Sequence, residues 1–141
     1  MILPSRLPLQ EFILGNRKTA RNSDEFVTGL IIPHPGKDSR GNFEKLGSRA
    51  FLVISIAMVG VVAKLNEYEE IANLNVAVGA CSAVSQRLYL LEKEAKGQKL
   101  QDLEIKSLHF ENLEPIDDIR GTAAYRNAII SELVMRAVKG V

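Results

Sequence analysis

The run AFLVISIAMVGVVA, residues 50–63, constrains this chain most, because it lies between Arg49 and Lys64 and has to be buried somewhere. It is shorter than the roughly 20 apolar residues that span a bilayer, so its place is inside a fold. From Ala57 to Leu65 the β-branched content and Gly60 predict a strand covered on both faces, although periodicity alone also admits a helix for so apolar a run. The polar step NEYEE, residues 66–70, interrupts it. IANLNVAVGACS, residues 71–82, then alternates Leu74, Val76 and Val78 with smaller or polar partners. The two stretches read as a hairpin.

Around this hairpin, 141 residues suffice for one domain with one core, in which about two thirds of the unfolded chain's surface becomes buried. Apolar residues at 46% and charged residues at 25% match an ordinary globular composition. The 18 basic and 17 acidic residues are scattered and nearly cancel, which leaves no electrostatic footprint for a nucleic-acid backbone or an anionic membrane; neither is an expected partner. The single cysteine, Cys81, excludes an internal disulfide and any all-thiolate zinc or iron–sulfur site held by this chain alone. The opening MILPSRLPLQEF has prolines where a signal peptide needs an unbroken apolar core, so the cytoplasm is the expected compartment.

Other elements follow from local chemistry. FVTGLIIP, residues 26–33, is β-branched, apolar and closed by proline, which predicts a strand, and HPGKDSRGN, residues 34–42, predicts turns. FEKLGSR, residues 43–49, leads back to the body of the protein, and Ser48 or a neighbour is expected to cap a short helical turn before the chain extends again. In QRLYLLEKEAKG, residues 86–97, Leu88, Leu91 and Ala95 fall at helical spacing and Gly97 sits where a left-handed cap belongs. Leu100, Leu103 and Leu108 give a weaker helical pattern that Pro115 closes. At the C-terminus Thr122 predicts an N-cap, with Asp117 and Asp118 placing negative charge ahead of the helix and Ile129, Leu133 and Ala137 forming its apolar stripe. Arg120 is expected to pair with Asp117 or Asp118 at the surface.

Residues that carry chemistry are few. His34 and His109 lie in no metal-ligand spacing and read as surface histidines, and Cys81 reads as a small buried residue. No serine sits in a G-x-S-x-G turn, and neither G-x-G-x-x-G nor G-x-x-x-x-G-K-[ST] occurs. A nucleotide site built on backbone amides therefore has no sequence support. In RGTAAYRNAII, residues 120–130, Arg120, Tyr125 and Arg126 have no nearby nucleophile or histidine, so a helix cap and a docking face account for the cluster better than catalysis does.

Several segments, taken in order, carry a resemblance. They are RLPLQEFILGNRKTARNSDEFVTGLIIP, the K-x-x-x-R step in EKLGSRA at 44–50, the hairpin end NVAVGACSAVSQR, the helix with Glu92 and Gly97, and PIDDIRGTAAYRNAIISELVMRA. Together they resemble the C-terminal domain of the FAD-binding, medium subunit of molybdenum hydroxylases, such as carbon monoxide dehydrogenase and xanthine dehydrogenase. The resemblance covers residues 1–141 as a single domain, with the family's opening segment at 1–33.

That resemblance implies a two-layer α+β fold, an antiparallel sheet with helices packed on one face. It implies FAD as cofactor, held mainly by a Gly-rich N-terminal region that these residues do not include, while this domain closes one side of the flavin. Lys45 matches a lysine that approaches the flavin, where an ammonium stabilises negative charge on the reduced ring, and Val27 matches an apolar position on the strand beside it. The implied partners are the flavin-binding domain, an iron–sulfur small subunit and a molybdopterin large subunit, in an electron-transfer complex. By itself the chain is expected to be inactive and to bind FAD weakly or not at all. The alternative reading is a non-catalytic assembly module that forms a homo-oligomer.

Overall fold

In the computed structural model, which describes residues 5–51 and 53–141, the second half of the long apolar run, from Ala57 on, enters an inner strand of a four-stranded antiparallel sheet. The elements follow the order α1 (Leu9–Phe12), β1 (Ile13–Gly15), β2 (Lys18–Thr19), β3 (Arg40–Leu46), β4 (Ala57–Leu65), β5 (Ile71–Gly79), β6 (Gln86–Arg87), α2 (Tyr89–Ala95) and α3 (Ala123–Lys139). The chain divides into two compact units, Met1–His34 and Pro35–Val141, with the boundary at the end of the opening segment. Among the described residues no helix is long and apolar enough to cross a membrane.

The first unit contains α1 and the small β1–β2 hairpin, in which Ile13 pairs with Thr19 and Gly15 with Lys18. The strand expected at 26–33 is not there. These residues adopt no regular structure and are exposed, Phe26 at 81% and Ile32 at 84%. Strand propensity needs a neighbour to supply hydrogen bonds, and among the described residues this segment has none.

In the second unit the sheet order is β3-β4-β5-β6. Register places Lys45 opposite Met58 and Met58 opposite Gly79, while Phe43, Gly60 and Ala77 line up across the centre. Side chains alternate accordingly. Ala57, Val59, Val61 and Ala63 of β4 point with Leu74, Val76 and Val78 of β5 into the core, against Leu91 and Ala95 of α2 and Ile130, Val134, Ala137 and Val138 of α3. Each fully buried Val or Leu contributes about 1.5–3 kcal/mol, so this one layer of contacts carries the fold. The two-layer α+β expectation holds.

Among the described residues of the second unit no helix packs on the opposite face of the sheet, which corrects the expectation that β4 is covered on both sides. Met58, Gly60 and Val62 are only partly buried and Lys64 is exposed. FEKL, for which no element was expected, is strand through its pairing with β4, and no helical turn follows Ser48 among the described residues. The weak helix expected over 100–112 resolves into two single 3-10 turns, Leu100–Asp102 and Ser107–Phe110.

The helix predicted around Leu88, Leu91 and Ala95 begins at Tyr89, after a two-residue strand, and Gly97 takes the expected left-handed conformation at φ +80°. Glu92 ties this helix to the sheet: its carboxylate accepts from Val76 N at 2.9 Å and from Arg87 Nε at 2.6 Å. It thereby satisfies a strand amide that the short β6 leaves unpaired. Thr122 caps α3 as predicted, its Oγ1 accepting from Tyr125 N at 3.1 Å, and Asp117 accepts from Ala123 N at 2.7 Å.

Candidate functional site

One end of the sheet gathers β3's last residues, β4's first and β5's last, and Lys45 stands there on the helix-free face. Its Nζ donates to Val53 O at 2.7 Å, which holds the ammonium against the β3–β4 loop. Ile56 N donating to Leu46 O at 2.8 Å closes that loop. Phe51 and Ile54 of the loop, Phe43 beside Lys45, and Ile119 before α3 are all exposed. Of these, Ile54 is the chain neighbour of Val53, which Lys45 touches, and Phe43 lies two residues from Lys45 on the same face of β3.

Beneath this rim Arg126 is 1% exposed. Nη1 donates to Ile56 O at 2.7 Å and also to Ala80 O, and Nη2 donates to Asp118 Oδ1 at 2.7 Å. One planar guanidinium thus joins the start of β4, the turn after β5 and the loop before α3. Its Nε finds no acceptor among the described residues. Asp118 also accepts from the backbone N of Arg120 at 2.8 Å and from that residue's guanidinium. The Arg120 hydrogen bond, helped by the Arg126 charge, holds the Asp118 carboxyl down to about 2, from 3.8.

The pairing of Arg120 with Asp118 agrees with expectation; the second partner of Asp118, buried Arg126, was missed. A signal was available: Arg126, Ile130, Val134 and Val138 form an i, i+4 row, all buried, whereas the expected stripe through Ile129 lies one residue off its centre. His109 also corrects its reading, being 1% exposed rather than at the surface. Its Nδ1 accepts from Lys106 N at 3.0 Å, so Nε2 carries the proton towards Glu94, 3.1 Å away, and the ring is a satisfied structural group. Cys81 is buried as expected; burial pushes its thiol up, partly offset by Arg126, and disfavours a nucleophilic thiolate.

Val27 lies in the first unit, 55% exposed and without regular structure, and Lys45 in the second. Among the described residues no group of histidine, cysteine and carboxylate side chains is arranged to hold a metal. The left-handed glycines Gly36 and Gly97 are far apart in sequence, so among the described residues of the second unit they form no glycine run of amides to cradle a diphosphate. What the Lys45 end does offer is a cation beside apolar side chains, which fits one wall of a flavin site.

A family model, the CO dehydrogenase flavoprotein C-terminal domain, matches residues 43–141. The chain belongs to this family. The glyceraldehyde dehydrogenase medium chain of Sulfolobus acidocaldarius is 28% identical over 134 residues, covering 93% of this chain and 47% of that protein. Among solved structures, CO dehydrogenase from Oligotropha carboxidovorans has a TM-score of 0.78 at 20% identity, covering 92% of this chain and 46% of its own. Quinoline 2-oxidoreductase from Pseudomonas putida 86 has a TM-score of 0.77 at 18% identity, covering 92% of this chain and 45% of its own. The chain thus spans about half the length of the relatives it matches.

Proposed function

We propose that the chain supplies the C-terminal domain of the FAD-binding subunit of a molybdenum hydroxylase-type oxidoreductase, of the CO, xanthine and aldehyde dehydrogenase class. It closes one side of the flavin site in an electron-transfer complex, in the cytoplasm, with a flavin-binding region, an iron–sulfur subunit and a molybdopterin subunit as partners. The observation that carries this reading is Lys45. It is an exposed ammonium fixed by Val53 O on the helix-free face, among uncovered apolar side chains, in a chain of the flavoprotein C-terminal domain family.

When bound, FAD supplies reversible electron uptake. Lys45 would supply positive charge to the reduced cofactor, and the exposed Phe51 and Ile54 would exclude water once covered; Val27, taken by itself, would supply an apolar contact. Arg126 acts through others, fixing the backbone at Ile56 and Ala80 on either side of this wall. The diphosphate is left to the glycine-rich region of the flavin-binding part.

Recovery of the tagged chain with flavin-bearing and molybdopterin-bearing polypeptides is the expected result; a colourless, self-associating species contradicts the reading. Within the recovered assembly, Lys45→Met lowers the flavin midpoint potential by roughly 30 mV, which for a two-electron couple is about 1.4 kcal/mol. An unchanged potential removes Lys45 from the site.

A further inference from the structure

The end of the second unit away from Lys45 holds a cleft of about 400 Å³, a volume that suits a small molecule. Arg40, which opens β3, Lys99, which precedes the first 3-10 turn, and Lys139, which ends α3, line it around Leu65 and Leu100. Five residues of extended strand, about 16 Å, separate Arg40 from Lys45, so this cleft is not part of the flavin wall. Among the described residues Arg40, Lys99 and Lys139 make no ion pair and no side-chain hydrogen bond.

The three cations arrive on separate elements that the fold ties together. Asn42 Nδ2 donates to Ala137 O at 3.1 Å, and a Cβ on Gly140 would lie 2.2 Å from that nitrogen, so the bare glycine lets the end of α3 close on β3. Lys99 is fixed by its bridge to Glu70 and by Ile71 N donating to Gln98 O at 2.8 Å. A smaller lobe of about 250 Å³ shares Arg40, Leu65, Leu100 and Glu69 with the first and adds Asp38. Both carboxylate residues stand in left-handed backbone, Asp38 at φ +66° and Glu69 at φ +62°, a conformation that side chains of this kind keep only where their surroundings hold them. Asn66 holds the Glu69 turn, its Oδ1 accepting from Tyr68 N and Glu70 N, both at 2.9 Å. Val141 lines both lobes, and even with a carboxylate there the larger lobe has three cations against two anions.

We propose that this cleft binds a small phosphate monoester that carries hydroxyl groups. The phosphate brings close to two negative charges and three acceptor oxygens to the larger lobe, where Arg40 donates as a fork and Lys99 and Lys139 act as point charges. A monocarboxylate, with one charge on two oxygens, matches three cations poorly. Hydroxyls of the ligand donate to Asp38 and Glu69 in the smaller lobe, and its carbon chain lies on Leu65 and Leu100. This site stands or falls independently of the flavin reading.

Titration of the 141-residue chain with glycerol 3-phosphate at low ionic strength, followed at its backbone amides by NMR, tests the proposal. The expected result is saturation with a Kd at or below about 1 mM, with the largest shifts at Arg40, Lys99 to Gln101 and Lys139. Arg40→Gln and Lys139→Gln each weaken binding by about tenfold or more, the loss of a charge-assisted contact. Both side chains are exposed, and amide spectra unchanged away from the cleft verify that the variants fold. Inorganic phosphate binds about fivefold more weakly than the ester, the worth of a hydroxyl hydrogen bond, and the Asp38→Asn, Glu69→Gln double variant removes that difference. No saturation by about 10 mM overturns the proposal, as do undiminished binding by the Arg40 and Lys139 variants and shifts spread evenly over the surface lysines. Equal affinity for the ester and inorganic phosphate overturns it as a site for a hydroxyl-bearing ligand.

Discussion

Arg126 concentrates more structural consequence than any other side chain, because its buried guanidinium has two carbonyls and a carboxylate as acceptors. Arg126→Met leaves Asp118 without its inner cation and both carbonyls without donors, and is expected to cost about 3–5 kcal/mol in urea unfolding. Arg126→Lys loses nearly as much, since one ammonium cannot reproduce a planar fork. A loss below about 1 kcal/mol for Arg126→Met would contradict the bracing role. Asp118 predicts a pH dependence. Its folded carboxyl titrates near 2, below its ordinary 3.8, so the native state binds fewer protons than the unfolded chain across that window. Its contribution to stability is complete above about pH 4 and is lost as pH falls towards 2; urea midpoints measured from pH 5 to 2.5 fall less steeply in Asp118→Asn than in the parent. At this scale the sequence spoke through single residue types, and it spoke poorly about burial. Cys81 was legible because small apolar residues are usually inside. Arg126 and His109 were not, because their burial depends on Asp118 and Glu94, acceptors 8 and 15 residues away that only the fold brings within reach.

Elements were legible where alternation and caps agreed with tertiary demand. β4, β5, the Gly97 turn and the Thr122 cap are where the sequence placed them, since each combines a local preference with a buried face. β3 was missed because residues 43–46 include no β-branched residue and owe their extension to β4. The segment at 26–33 erred the other way: its preference is clear, but among the described residues nothing pairs with its backbone. Two substitutions probe how elements are joined. Glu92→Ala orphans Val76 N and Arg87, for an expected loss of about 1.5–3 kcal/mol, with Glu92→Gln recovering part of it through the retained acceptor. Thr122→Ala costs about 1 kcal/mol, and helix content by circular dichroism at 25 °C stays near the parent's because Asp117 still accepts from Ala123 N.

At the scale of the whole molecule, the second unit covers one face of its sheet with α2 and α3 and leaves the other, with Lys45, without a helix among its described residues. The family was legible from five ordered segments; how the chain would serve a cofactor was less so, because Lys45 reads in sequence as one lysine among many. A domain that contributes a cation and an apolar wall but no amide cradle can flank an isoalloxazine without retaining the dinucleotide. Titration of the isolated chain with FAD, followed by quenching of flavin fluorescence, tests this most directly. The account predicts no saturable binding up to about 100 μM, a concentration at which a contact worth about 5 kcal/mol would already be visible. Stoichiometric binding at micromolar concentration or tighter would contradict it.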